Sequence, residues 1–207
     1  SGKVVPNSTL HFGCFLDDKL HGVMSFGSPM DKSKVLHLVQ PCLWNEMLEL
    51  NRMAFDDYLP KNAESRCISI SIKLIKKNAP HIKWILSYSD GTQCGDGTIY
   101  RASGFELTGL KENKTILKWN GKIIADKTLN NSNYKKIGMS AGEAKRQGAT
   151  PLLGFQLRYI YLIDKTCKIT VPILPFSKID EMGAGMYKGE KISLAERKAK
   201  NESDVID

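Results

Sequence analysis

The stretch HIKWILSYSDGTQCGDGTIYRASGFELTG, His81 to Gly109, decides how the chain is read. It divides into a strand that stops at Ser89-Asp90-Gly91, a helix that carries Tyr100, and a second strand that begins at Phe105. Lys83–Ser87 (KWILS) is the apolar run of a buried strand, and Asp90-Gly91 is a turn pair. Gly104 closes the helix before the next strand. Such a unit holds a titratable phenol beside the open end of a sheet. Acyl transfer needs a group of that kind to protonate a leaving thiolate or alkoxide.

Upstream lies the best helix of the chain, Asn62–Asn78. Asn62 is a candidate N-cap, with Glu64 and Ser65 in the first turn. Cys67, Ile68, Ile70, Ile72, Leu74 and Ile75 supply apolar positions. Lys73, Lys76 and Lys77 sit where the helix dipole favours positive charge, and Pro80 forbids continuation. Glu46–Phe55 (EMLELNRMAF) fits a strand or a helix. A strand is expected, because Asp56–Pro60 then breaks the chain and a far better helix follows. Thr9–Leu16 and Leu20–Phe26, joined at Asp17-Asp18-Lys19, form a β-hairpin. Asp31–Val39 is a short helical or irregular link.

Downstream, Phe105–Leu110 is expected to pair with Thr115–Trp119. Asn120-Gly121 is a hairpin signal before Lys122–Ala125. Thr92 is a candidate cap for the Tyr100 helix. Asn130–Asn133 is a loop. Ser140–Gln147 reads as a short basic helix capped by Ser140, with Glu143 three residues on. Gly154–Ile163 is a late strand, and Lys168–Leu174 is expected to end the sheet. Residues 1–187 read as one domain and 188–207 as a charged tail, solvated helix or disordered. The order of elements gives a mixed α/β (α+β) fold with a locally parallel sheet, whose strand ends are where a site is expected.

The chain has 207 residues, 42% of them hydrophobic, and a net charge of +8. A real core can form, and the charge favours a polyanionic partner, DNA or RNA, over an acidic protein. The five cysteines are odd in number and none is in C-x-x-C spacing. That reads as a reduced, cytosolic protein without a disulfide framework or zinc knuckle. No apolar run is long enough to span a membrane, and nothing at the start reads as a signal peptide.

Each candidate side chain has a plain structural reading beside its chemical one. Asp90 ends a strand where sites often lie, yet Asp-Gly is also an ordinary turn. Tyr100 is a candidate acid or a half-buried core aromatic with its hydroxyl at the surface. Arg52, inside an apolar run, either snorkels at a sheet edge or aims at an anion. Asn62, Glu64, Ser65 and Arg66 open the best helix, where free N–H groups bind anions, or they simply cap it. Cys94 is a nucleophile without a nearby histidine, or a small buried thiol. His11, His21, His37 and His81 show no tight metal spacing, so no metal is expected. Basic and aromatic residues interleave at Lys118-Trp119, Lys122, Tyr134-Lys135-Lys136, Lys145-Arg146 and Arg158-Tyr159. That pattern suits phosphates and unstacked bases, or plain solvated faces.

GTIYRASGFELTG resembles the Gcn5-related N-acetyltransferase superfamily, whose late helix commonly ends in a Tyr followed by a Gly-Phe pair, here Tyr100 and Gly104-Phe105. Over most of the chain a closer similarity runs. SGKVVPNSTLHFG, HGVMSFG, ELNRMAF, NAESR, SYSDGTQCGDGTIYRASGF and GAGMYKGEKISLAERKAK look like the Mom family of phage and prophage DNA-modification proteins. The resemblance implies an acetyltransferase-like central mixed sheet flanked by helices. It also implies an enzyme of the bacterial cytoplasm that converts adenine in double-stranded DNA to N6-carbamoylmethyl (methylcarbamoyl) adenine, shielding phage DNA from restriction.

It places the functional polar positions at Arg52, Ser65, Asp90 and Tyr100. Asp90 would orient or deprotonate the exocyclic amine, and Tyr100 would protonate the leaving group or stabilise the intermediate. Arg52 and Ser65 would hold the donor, with Asn62, Glu64 and Arg66 beside it. Relatives that bind acetyl-CoA usually carry a Gly-rich pyrophosphate turn before the central helix, whereas DDYLPKNAESR has no glycine. Carbamoylmethyl has the composition of a glycyl group, so glycyl-tRNA is a candidate donor beside the acetyl-CoA that the acetyltransferase resemblance implies. A non-enzymatic DNA-binding protein and a small-molecule or protein N-acetyltransferase are the alternatives.

Overall fold

The computed structural model describes residues 7–91, 95–126, 129, 139–152, 154–187 and 190–191. In chain order the strands and helices are β1 (Ser8–Leu16), β2 (Lys19–Gly27), β3 (Val39–Gln40), β4 (Met47–Phe55), α1 (Ala63–Asn78), β5 (Trp84–Asp90), α2 (Thr98–Ala102), β6 (Glu106–Asn113), β7 (Ile116–Trp119) and β8 (Lys122–Ala125). There follow α3 (Ala141–Arg146), β9 (Thr150–Pro151), β10 (Gly154–Leu162), β11 (Lys168–Ile169), α4 (Ser177–Glu181), β12 (Met186–Tyr187) and β13 (Glu190–Lys191). The fold is mixed α+β, a central mixed sheet with helices, as the order of elements implied.

The chain divides into two compact units. The first takes residues 1–88, 97–109 and 158–175. Its sheet runs β1-β2-β4-β5-β10-β6, with β5, β6 and β10 entering the unit through part of their length. Asp17 (φ 49°) and Asp18 (φ 58°) make the two-residue turn between β1 and β2, since a turn with positive φ at both positions matches the twist of a hairpin. β1, β2 and β4 pair antiparallel, and β4 pairs parallel with β5 across the α1 crossover.

Trp84 and Leu86 of β5 pack with Met47, Leu38, Val39 and Ile160 in a core from which water is excluded. Along α1, Ile68, Ile72 and Ile75 recur at helical spacing and are buried, whereas Ile70 and Leu74 fall on the outer face and stay exposed. The Ser71 hydroxyl inside that stripe donates to the Ile68 carbonyl at 2.8 Å, which satisfies it. Among the described residues no helix is long and apolar enough to cross a membrane.

Three expectations are corrected here. Asn62 does not cap α1 with its side chain; its backbone is left-handed (φ 69°), and Ser65 Oγ instead donates back to the Asn62 carbonyl at 3.1 Å. β6 does not pair with β7 but lies beside β10. The Asn113 side chain accepts from both the N–H and the hydroxyl of Thr115, an Asx turn that redirects the chain between them. β11 is two residues long and pairs with β3 rather than extending the main sheet. Asp164 Oδ1, accepting from Thr166 N and Oγ, makes the turn that sends it there.

The second unit takes residues 89–96, 110–157 and 176–207. Here β7 pairs with β8 through Asn120 (φ 48°) and Gly121 (φ 71°), and with β9 on its other edge. Leu117, Leu129, Ala144 and Ala149 form its buried cluster. Ser140 caps α3, its Oγ accepting from Glu143 N at 3.1 Å, as expected. Thr92, Cys94, Asn130–Asn133, Tyr134–Lys136 and the tail apart from Glu190 and Lys191 lie outside the described residues.

Candidate active site

β4 carries an irregularity at its middle. Against β2 its register runs from Gly22–Phe55 to Ser25–Arg52 and then jumps to Phe26–Leu50, leaving Asn51 as the extra residue of a bulge. The parallel ladder to β5 ends at the same place, Leu50–Ser87, while β4 continues to Phe55. Asn51 Oδ1 accepts from Ser8 Oγ at 3.1 Å, and the Asn51 side chain hydrogen-bonds Glu49.

The register also tells which face each side chain takes. His11, Ser25 and Arg52 form one cross-strand row, with His11 Nδ1 and Ser25 Oγ 2.9 Å apart. Cys14 pairs with Gly22, three positions from Ser25, and so lies on the opposite face. Cys67 of α1 hydrogen-bonds Cys14, which puts α1 on that second face. Arg52 is therefore on the face away from α1, and Ser65 is on the α1 side. The two residues expected to hold the donor together do not share a face.

Ser65 is half-buried in the first turn of α1, and its carbonyl accepts from Ser69 Oγ at 2.9 Å and from Ser103 Oγ at 3.4 Å. The second bond ties the end of α2 to α1. Between them opens a cavity of about 310 Å3, lined by Asn62, Glu64, Ser65, Thr98 and Ile99 together with Asp56, Asp57 and Lys61. A larger groove of about 620 Å3 runs past Lys61, Asn62, Ser65 and Arg66 toward Cys14, Phe15 and Ile70. Burial and the neighbouring Cys14 push the Cys67 thiol beside it up to about 11, so it is not a nucleophile at neutral pH.

Tyr100 is buried, 6% exposed, and not half-buried as the sequence suggested. Its ring lies 5.2 Å from Tyr159 and 5.5 Å from Phe105, which in turn meets Tyr161 at 5.3 Å. The local chain makes this placement. Gly97 opens α2 at φ 75°, and a Cβ there would stand 2.5 Å from the Tyr159 ring. Gly104 (φ 81°) closes the helix, and the Tyr100 carbonyl accepts from Phe105 N at 3.0 Å.

Asp90 belongs to the second unit. It is the half-buried last residue of β5, so the strand ends where expected. Gly91 N donates to the Phe155 carbonyl at 2.7 Å and Ser89 Oγ to the Gly95 carbonyl at 2.9 Å, which fix the turn on either side of it.

Glu49, Tyr88 and Arg158 escaped the sequence reading as a group. In EMLEL the acidic residues look like polar positions of a helix or strand, and Arg158 looks like one of the surface cations interleaved with aromatics. In the structure all three are half-buried. Burial pushes the Glu49 carboxyl above its usual range, although Asn51 opposes this. Burial also raises the Tyr88 phenol, with the Glu49 charge adding to it and Arg158 opposing. Arg158 is held below its usual range by burial, and it donates from Nε to Thr108 Oγ1 at 3.1 Å and from Nη2 to the Thr108 carbonyl at 2.7 Å. Arg158 is thus an anchored, half-buried cation. Among the described residues no group of three or more His, Cys, Asp or Glu is placed to hold a metal ion.

Comparison with known proteins gives this arrangement its kin. Among solved structures, a Bacillus subtilis acetyltransferase in complex with CoA matches at 11% identity and a TM-score of 0.43, covering 74% of this chain and 76% of that one. A GNAT family acetyltransferase from Elizabethkingia anophelis with acetyl-CoA bound matches at 11% identity and a TM-score of 0.41, covering 74% and 75%. Likenesses that distant carry neither donor nor substrate to this chain. In sequence the chain is 32% identical over 172 residues to methylcarbamoylase Mom of Escherichia phage Mu, covering 81% of this chain and 69% of the phage protein. The model of the Mom protein family matches residues 1–178, a span that takes in β4, α1, the Tyr100 helix and Asp90: this chain belongs to the Mom protein family.

Proposed function

We propose that this protein is an acyltransferase-like enzyme that converts adenine in double-stranded DNA to N6-carbamoylmethyl (methylcarbamoyl) adenine. The observation that carries this reading is the similarity to a protein named methylcarbamoylase, at 32% identity over 172 residues. The target base leaves the stack, because its N6 cannot be reached inside a duplex. Asp90 orients or deprotonates the exocyclic amine. Tyr100, set among aromatic rings, gives its phenolic proton to the leaving group. Ser65 acts on the donor at the start of α1, and Arg52, on the opposite face of the sheet, acts on its carbonyl part.

The donor is an activated acyl group, acetyl-CoA or glycyl-tRNA. A glycyl group transferred to N6 gives the carbamoylmethyl product after rearrangement through its free amine, which moves N6 to the CH2 carbon and makes the amine the amide; an acetyl group carries no nitrogen and needs a separate amine source. Asp56, Asp57 and Glu64 line the smaller cavity against the single cation Lys61. That excess of carboxylates does not fit a diphosphate. The groove that holds both Lys61 and Arg66 is the better seat for the anionic part of a donor, with Phe15 and Ile70 for an apolar arm. Labelled glycine and labelled acetate supplied in parallel to expressing cells separate the two donors. Label reaching DNA adenine from acetate alone would exclude the glycyl route.

Mass spectrometry of nucleosides from DNA of expressing cells tests the function itself. Modified adenine is expected with the wild-type chain and is absent with Tyr100→Phe or Asp90→Ala. Full modification by the folded variants would refute these two roles. Unmodified DNA with the wild-type chain would leave a non-enzymatic DNA-binding protein.

A further inference from the structure

We propose that Glu49 reads the Watson–Crick edge of the target base, one carboxyl oxygen accepting from adenine N6–H and the other, as O–H, donating to N1. The inference rests on adenine in DNA being the substrate. Its geometry comes from the bulge at Asn51, which leaves Glu49 and Arg52 on the same face of β4 and ends the ladder to β5 at Leu50. Tyr88 follows on that face of β5, since Glu49 is in register with Leu86. Glu49, Arg52 and Tyr88 are each half-buried, neither sealed in the core nor free on the surface. Of the three, Arg52 alone has a role in the proposed reaction.

Most of the groups facing Glu49 suit a carboxyl that keeps its proton. On its own strand the neighbours are the neutral Asn51, which hydrogen-bonds it, and Arg52, a cation on the same face that opposes protonation; on β2 its partner is Gly27, and on β5 it meets the Tyr88 phenol. Arg158, the cation that opposes the rise of that phenol, is engaged with Thr108. Burial already raises the Glu49 carboxyl, and a base laid over it removes further water and favours the neutral form again. An ionised carboxylate would face the N1 lone pair, whereas a carboxylic acid matches the donor–acceptor pair of adenine. Guanine and thymine present that pair reversed, and because a carboxyl can carry its proton on either oxygen, Glu49 alone does not refuse them. Cytosine presents it in the same order, so its exclusion falls to ring size.

Glutamine, glutamate's isostere, separates reading from proton acceptance. A carboxamide accepts from N6–H and donates to N1, but it cannot take a proton. Glu49→Met is expected to lose modified adenine by roughly tenfold or more, and Glu49→Gln to retain several times more than Glu49→Met, both with wild-type-like thermal melting. Modification lost in folded Glu49→Gln, or kept in Glu49→Met, overturns the proposal.

A binding readout does not depend on the donor. Oligonucleotides carrying one unpaired adenine or 1-deazaadenine are titrated with the purified full chain. Wild type and Glu49→Gln are expected to favour adenine by roughly tenfold, with the preference fading at higher pH in wild type alone. Equal affinity for the two bases in the wild type overturns the reading. If no variant modifies DNA but the preference stands, the proposed reaction fails and the base reading survives.

Discussion

Glu46 is held by two different donors. Lys83 Nζ lies 2.9 Å from its Oε1, and the Leu43 N–H donates to its Oε2 at 2.7 Å. The backbone bond first, and Lys83 second, hold the Glu46 carboxyl below its ordinary value of 4.5. A carboxyl lowered in the folded state stabilises above its unfolded pKa, and that stability is lost as pH falls through the folded value. Denaturant titrations at neutral pH and near pH 3 should therefore show a smaller acid loss for Glu46→Gln than for wild type. An unchanged pH dependence would mean that the pair does not couple to folding. Tyr100 is a different case, because its ring is packed and its hydroxyl is proposed to do chemistry. Tyr100→Phe keeps the ring and should cost no more than about 1–2 kcal/mol of stability, so a calorimetric scan tells lost chemistry from lost fold.

Among the elements, α2 is the shortest that carries a proposed role, and its position depends on Gly97. An alanine there needs φ near 75° and space now filled by the Tyr159 ring 2.5 Å away. Gly97→Ala should lower stability by roughly 1–3 kcal/mol and reduce modification by moving Tyr100; unchanged melting would show that the ring can step aside. Elements fixed by local chemistry were legible in the sequence. The Asp17-Asp18 and Asn120-Gly121 hairpins, the α1 helix, the Ser140 cap and the break after Phe55 that made β4 a strand all read correctly, although two of the apolar positions read in α1, Ile70 and Leu74, are exposed. Elements fixed at long range were not. Nothing near Phe105 says that β10, some fifty residues later, will occupy the place beside it, and nothing near Lys168 points to β3. Asn62 failed as a cap because its backbone is left-handed, a conformation that asparagine tolerates but its sequence neighbours do not announce.

Over the whole molecule the +8 charge sets the scale of the electrostatics. If DNA is the partner, releasing its counterions makes affinity fall with salt. Binding of a random duplex should weaken by about tenfold or more between about 50 and 200 mM salt; a flat response would remove the phosphate contacts from the account. The candidate site was legible only in part. Tyr100 and Asp90 stood out beside ELNRMAF and NAESR, through the family resemblance and not through periodicity. That Arg52 and Ser65 occupy opposite faces could not be read, because a single bulge residue decides it. Glu49 was hidden for the same reason.

The proposed activity is modification of adenine in DNA by a Mom family chain with Tyr100 as its acid. Nucleoside mass spectrometry of DNA from cells making the wild-type chain and its Tyr100→Phe variant tests it most directly. N6-carbamoylmethyl adenine with the wild type and none with the folded variant is the result expected; unmodified adenine in both would contradict it.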